Sequence, residues 1–280
     1  MNIKFEPIVQ NKLAEQFRAL HYADEMLVLP NAWDCASAKI FEQSGFPAIA
    51  TTSSGISWSY GYKDGEHIPP DLMIEVIQRI THAVSIPVTA DIEGGYFGND
   101  IEKFAKFIAD VVHAGAVGIN LEDSDSHTRQ LNDINKQILK IKAAKESCLQ
   151  KGVHLFVNAR TDAMVGPENL KTKIQICINR AKEYEAAGAD GIFVPFVKDI
   201  ETVARLKEAI RLPLNILMAD TLEVAKLRNL KVNRVSVGGK PMLATMNLLK
   251  NISKELSAKN NWDSLFVKYP GYDDMNKWFV

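Results

Sequence analysis

The sequence predicts an α/β protein of the (β/α)8 class, a TIM barrel built as a single domain, and three observations predict it. Short apolar runs alternate with longer amphipathic ones along the chain, the pattern of repeated βα units. About eight short runs can be counted, the number that closes a parallel barrel. The 280 residues suit one such barrel, and no low-complexity linker or shift in composition divides them.

The expected strands are Met26–Pro30, Ala48–Thr52, Pro87–Asp91, Val117–Glu122, His154–Arg160, Gly191–Pro195, Leu214–Met218 and Arg234–Gly238. Between them lie helices such as Ile101–His113, where Phe104, Phe107, Ile108 and Val111 form one apolar stripe. Leu170–Ala187 has the same periodicity and stops before Gly188, a suitable C-cap. Residues 1–25 read as an N-terminal helical segment outside the barrel, 26–258 as the barrel and 259–280 as a C-terminal helical extension. The extension carries Trp262, Phe266, Tyr269, Tyr272, Trp278 and Phe279, which pack either on the chain's own surface or on a neighbouring subunit.

Composition narrows the function classes. A hydrophobic content of 46% with 24% charged residues is that of an ordinary globular protein. A net charge of -1 gives no general attraction for nucleic acid or anionic membrane, and no basic block appears. No apolar run approaches the roughly 20 residues needed to span a bilayer. Met1–Leu20 lacks the apolar core of a signal peptide. Cys35, Cys148 and Cys177 are far apart and odd in number, unlike a disulfide framework or a zinc finger. The expectation is a cytoplasmic enzyme with a small-molecule substrate and neither a nucleic-acid nor a membrane partner.

The most informative stretch is Pro87–Gly98, an apolar run that ends in Asp91 and Glu93 and then in Gly94, Gly95 and Gly98. Residues two apart on a strand share a face, so both carboxylates can aim at one point. Close carboxylates repel unless a cation or a shared proton lies between them. At the C-terminal end of a strand this reads as a divalent-metal site, against the plainer alternative of a loop cap or surface pair. The other strand ends supply Trp33; Thr52, Ser53, Ser54 and Gly55; Glu122 with Asp123; Arg160 with Asp162; Asn215; and Ser236 with Gly238 and Gly239. Acidic groups suit a hard cation that keeps several waters, magnesium or alternatively manganese. The Thr52–Gly55 turn, with Trp33, Asn215 and Ser236, would face a small carboxylate substrate. Arg160 either clamps that carboxylate or only pairs with Asp162. His127, on the loop after the fourth strand, is either an acid–base group or a solvated side chain.

These segments resemble the isocitrate lyase/phosphoenolpyruvate mutase superfamily. The resemblance is carried by Leu29–Asp34, Thr51–Ile56, Tyr60–Gly65, Asp91–Tyr96, Asn120–Asp123, Asn158–Asp162 and Arg234–Gly239, in order, over about residues 25 to 250. It implies an (α/β)8 barrel that binds magnesium and a small 2-oxo acid. It also implies that Asp64, Asp91, Glu93 and Glu122 hold the metal, directly or through water. Glu93 stands where the family usually has Asp. Thr52, Ser53 and Ser54 match positions that bind the substrate carboxylate, and Arg160 matches an arginine that reaches substrate oxygens. Dimers or tetramers with C-terminal segments between subunits are implied too.

One segment departs from the pattern. The lyases carry a Cys-containing signature on the loop after Glu122, but here the run is Ser124-Asp-Ser-His-Thr-Arg-Gln-Leu-Asn-Asp133. The phosphonate mutases place Lys and Asn where Thr128 and Gln130 stand. Cleavage of isocitrate or 2-methylisocitrate is therefore not expected. The leading expectation is a magnesium-dependent lyase acting on a C–C bond of a 2-oxo dicarboxylate through an enolate, like oxaloacetate decarboxylase. The alternatives are a C–P bond enzyme acting on a phosphonate and a 2-oxo-acid binding protein without turnover.

Overall fold

In the computed structural model, residues 6–149, 152–259, 262–267 and 270–279 are described. Tyr269 and the first residues of the N-terminal segment lie outside them.

Every strand pairing is parallel, and the sheet closes through one proline. Strand β1 (Leu27–Leu29) pairs with β9 (Arg234–Ser236), and β2 (Asn31–Ala32) pairs with β3 (Ile49–Thr51). Pro30 joins β1 to β2 and has no N–H to leave orphaned where the strand changes neighbour. Its carbonyl accepts from the Ala50 N–H at 2.9 Å. The segments β1 and β2 are thus one barrel strand. The ring is completed by β4 (Val88–Asp91), β5 (Gly118–Glu122), β6 (Phe156–Arg160), β7 (Gly191–Val194) and β8 (Leu214–Leu217), each beside its sequence neighbour. This is the expected (β/α)8 barrel, with strands a residue or two shorter than the apolar runs.

The outer layer is made by α2 (Cys35–Gln43), α4 (Pro70–Ala83), α5 (Ile101–His113), α6 (Ile134–Leu149), α7 (Leu170–Ala186), α8 (Ile200–Ala209) and α9 (Val224–Asn229). Asp34, Asp100, Asn169 and Asp199 each accept a first-turn backbone N–H, fixing where α2, α5, α7 and α8 begin. The apolar stripe of α5 is buried in the main core with outward-facing strand residues such as Ile119 and Leu121. Two further helices, α10 (Lys240–Ala258) and α11 (Tyr272–Lys277), end the chain. The three cysteines are free, two of them buried.

Helix α1 (Pro7–Leu20) does not lie outside the barrel as its sequence suggested; it plugs the N-terminal mouth. Phe17 is fully buried against Phe156 of β6, edge to face with centroids 5.4 Å apart, beside Leu27, Leu29, Ala48, Ala50 and Val117. Gln10 ties the plug down by donating to the carbonyls of Val112 and Ala116 at 2.6 and 3.0 Å. The bland amphipathic pattern of α1 could not distinguish a lateral face from an axial plug.

Strand alternation sets the layer above the plug. Asn120, Asn158, Asn215 and Arg234 are buried there, each two residues before a residue of the upper rim. Asn120 Oδ1 accepts from Asn158 Nδ2 at 2.8 Å and from Arg234 Nη2 at 3.2 Å. Burial pushes the Arg234 guanidinium down to about 9, only partly offset by Asp91. The polar column therefore continues from the barrel core into its C-terminal rim.

Candidate active site

The rim encloses a cavity of about 390 Å3. Its lining includes Thr52, Ser53, Ser54, Asp64, Asp91, Glu93, Glu122, Arg160 and Ser236, all expected at the site from the sequence. It also includes Asn31, Asn120, Arg129, Asp162, Val165, Phe193, Phe196, Leu217, Gly238 and Gly239.

Asp91 ends β4, and its Oδ2 accepts from the backbone N–H and hydroxyl of Ser53 at 3.1 and 2.9 Å. Thr51 Oγ1 accepts from the Asp91 N–H at 2.9 Å, which locks β4 to β3 at the rim. Glu93 reaches the cavity by a different route from the one inferred. It lies beyond the strand in a left-handed conformation, φ 55°, so a turn rather than strand alternation aims it. Gly95 makes that turn possible: its φ is 87°, and an added Cβ would lie 2.4 Å from Phe104. Glu93 Oε2 accepts from the Glu66 N–H at 2.7 Å, and Glu66 accepts from Tyr96 N–H and Ser126 Oγ. Glu66 was not singled out in the sequence, because its contacts join segments far apart in the chain.

Three carboxylates each keep one buried oxygen without a hydrogen-bond partner: Asp64 Oδ1, Asp91 Oδ1 and Glu93 Oε1. Burial, then Asp64 and Asp91, pushes Glu93 up to about 8. Burial and Asp91 raise Asp64, partly countered by Arg129. Such an arrangement is destabilised unless a cation sits among the oxygens or a proton is held there. Among the described residues no three His, Cys, Asp or Glu side chains stand close enough to hold a metal ion directly. The donor set fits a small hard cation that keeps waters between itself and several carboxylates, as magnesium does.

Arg160 ends β6, two strands along the ring from Asp91 on β4. Asp162 binds the arginine through both oxygens, and Glu122 accepts from its Nη1. Burial alone would lower the guanidinium, but Glu122 and Asp162 more than reverse this and raise it. Arg160 thus both pairs with Asp162 and lines the cavity, joining the two readings that its spacing left open. Behind the pair, Asp123 accepts from the Asp162 N–H at 2.9 Å, Arg180 Nη1 at 3.1 Å and the Tyr184 hydroxyl at 2.7 Å. Burial raises Asp123 despite these donors.

Four expected residues do not line the cavity. The Thr52–Gly55 segment is not a turn: Thr52 precedes α3 (Ser53–Ser59), and Gly55 sits inside that helix. A Cβ at Gly55 would meet Thr52 Cγ2 at 2.7 Å and Trp33 Cβ at 2.9 Å, so both Gly55 and Trp33 serve close packing. Asn215 lies one layer down, with Ser236 Oγ 3.3 Å from its Oδ1. His127 is exposed and points its ring at His67, 5.8 Å away, while the loop neighbour that lines the cavity is Arg129. Arg129 Nη2 comes within 3.9 Å of Asp64.

The family model for phosphoenolpyruvate phosphomutase matches residues 17–257. This chain belongs to that family. It is an enzyme fold of the isocitrate lyase/phosphoenolpyruvate mutase superfamily, whose members among its relatives are lyases and phosphomutases. The chain is 36% identical over 241 residues to the uncharacterized protein Rv1998c of Mycobacterium tuberculosis, covering 86% of this chain and 88% of that one. It is 26% identical over 283 residues to an oxaloacetate decarboxylase of Pseudomonas savastanoi, covering 95% and 94%. A solved structure of a suggested phosphonomutase from Burkholderia cenocepacia J2315 superposes with a TM-score of 0.83 at 39% identity, covering 87% of this chain and all of that one. No described helix is long and apolar enough to cross a membrane.

Proposed function

We propose that this protein is a cytoplasmic, magnesium-dependent lyase that breaks a C–C bond in a small 2-oxo dicarboxylate, with oxaloacetate decarboxylation as the simplest case. Manganese is the expected substitute metal. The observation that carries this reading is the meeting, in one cavity, of three carboxylates with unpartnered oxygens and a braced arginine. Asp64, Asp91 and Glu93 would hold magnesium, with Glu122 at the border between metal and Arg160. Bound magnesium would supply electrostatic stabilisation of negative charge developing on the 2-oxo group.

The chain's own groups do the rest. Of the five N–H bonds of Arg160, Asp162 and Glu122 engage three, leaving two for a substrate carboxylate. The Thr52 and Ser54 hydroxyls, 3.0 Å apart, supply neutral hydrogen-bonding groups in the same cavity, as does Ser236. Gripping the C1 carboxylate there leaves the C3–C4 bond free to align with the carbonyl. Its electron pair then passes toward the C2 oxygen as carbon dioxide departs, and C3 takes a proton from solvent. No loop acid is required for the first step, which suits a loop without the lyase cysteine.

The test is release of pyruvate from oxaloacetate by purified protein with magnesium, beside Asp91→Ala. Saturable turnover lost in the variant supports the proposal; equal rates in the two proteins overturn it. The similarity to a suggested phosphonomutase and the second guanidinium of Arg129 at the cavity favour C–P chemistry as the rival. Phosphorus NMR with phosphonopyruvate separates them. Magnesium-dependent binding without any product would instead mark a binding protein.

The proposal includes a homodimer or homotetramer. It is supported by Phe266 and Tyr272, 71% and 83% exposed in the segment after α10, which a neighbouring subunit would cover.

A further inference from the structure

Arg234 is the largest fully buried side chain among the described residues, and no carboxylate among them pairs with it. Its Nη2 donates to Asn120 Oδ1 at 3.2 Å, while Nε and Nη1 are buried and unpartnered. Asp91 attracts it from a distance, without an ion pair. Strand alternation puts Thr89, Asn215 and Arg234 inside the barrel, each two residues before a cavity-lining residue, Asp91, Leu217 and Ser236. Asn215 and Arg234 are direct partners across β8 and β9. The Ser236 hydroxyl lies 3.3 Å from Asn215 Oδ1, which turns the Asn215 Nδ2 away from it, and that Nδ2 is also buried and unpartnered. Thr89 Oγ1 on β4 is a further buried hydroxyl without a partner. His21 Nε2, unpartnered too, is an acceptor while Nδ1 donates to Phe17, and it stands outside this donor set. The barrel interior beneath the cavity therefore carries an uncompensated cation and several donors with nothing to receive them.

Burial lowers Arg234 only to about 9, so it stays charged at neutral pH. A buried guanidinium without a counter-charge is strongly destabilising. Water would satisfy the N–H groups and leave the charge; a monovalent anion answers both. Phe17 and Phe156 close the barrel beneath this layer, which favours a single-atom ion over a carboxylate or phosphate. We propose that the barrel interior binds one anion of the halide class, chloride being the natural case, between Arg234 and the Asn215 amide. The ion neutralises Arg234, which in turn holds Asn120 in the lining of the cavity. This site does not depend on which reaction is catalysed above it.

The experiment is halide replacement. Crystals of the unmodified protein soaked in bromide are read by anomalous scattering at the bromine edge. In parallel, melting is followed in sodium chloride and in sodium gluconate at equal ionic strength. A bromide peak in contact with Arg234 and Asn215 is expected. Chloride should raise the melting temperature saturably, by about 2–4 °C at a tenfold excess over the dissociation constant. Arg234→Met, which removes the charge and the donors at similar length, should lose that response. If the variant does not fold, the bromide peak and the salt comparison in the unmodified protein decide. Bromide found only beside Arg160 or Arg129, water at Arg234, equal melting in the two salts, or a chloride response that survives in Arg234→Met overturns the site.

Discussion

Asp162 holds the guanidinium of Arg160 through both carboxylate oxygens, Nε donating to Oδ1 at 2.7 Å and Nη2 to Oδ2 at 3.1 Å. The pair is two residues apart on β6 and its following loop, and Ser124 Oγ adds a 2.7 Å bond to Asp162. A bidentate grip fixes orientation as well as charge. Asp162→Ala should leave Arg160 swinging on Glu122 alone and lower kcat/KM about a hundredfold, because a displacement near 1 Å costs that much. Steady-state kinetics checks it; an unchanged kcat/KM would make the pair merely structural.

The second prediction concerns the support behind that pair. Tyr184 is fully buried, and its hydroxyl donates to Asp123 while accepting from Arg180 at 2.9 Å. Tyr184→Phe should destabilise the fold by about 1.5–3 kcal/mol, the range for a buried hydrogen bond to a charged group. Urea unfolding should show a lower midpoint at an unchanged slope.

The strand order and the acidic rim were legible because each depends on local pattern. Apolar runs mark strands, and Asp91, Glu122 and Arg160 sit at their ends whatever the rest of the chain does. What was not legible depends on long-range register. Glu66 matters only because it touches Glu93, Tyr96 and Ser126. Asn31 matters because its Oδ1 accepts from the Val237 and Gly238 N–H groups, 206 and 207 residues away. Gly55 and Trp33 looked like site residues because glycine and an aromatic at a strand end serve ligands and close packing alike. Phe193 was hidden inside an apolar run whose inward face sequence cannot assign.

The third prediction is a pH effect on stability. His21 donates from Nδ1 to the Phe17 carbonyl at 2.8 Å and stacks on Phe156, 4.1 Å between centroids. Burial, then Arg234, lowers it to about 3, so it is neutral in the folded state. Below the ordinary histidine value of about 6.5, the unfolded chain binds a proton that the folded chain refuses. His21 therefore withdraws stability as pH falls from about 6.5 toward 3, by up to about 1.4 kcal/mol per unit. The difference in unfolding free energy between His21→Phe and the unmodified protein should move in favour of the variant across that window. A difference independent of pH would contradict it.

The fourth prediction is conformational. Gly95→Ala places a methyl group into Phe104 and into a left-handed backbone. It should cost at least about 1–3 kcal/mol of stability and weaken magnesium binding by disturbing the Glu93 turn, whereas Gly45→Ala, with open space around it, should bear only the backbone cost. Thermal melts with and without magnesium compare the two.

The unpartnered oxygens of Asp64, Asp91 and Glu93 are the proposed seat of a divalent cation. Calorimetric titration of magnesium into the unmodified protein and into Asp91→Ala tests it most directly. One saturable site is expected in the unmodified protein, and an affinity at least about tenfold lower in the variant, a difference of about 1.4 kcal/mol. Equal affinity in the two proteins, or no magnesium binding in either, would contradict it.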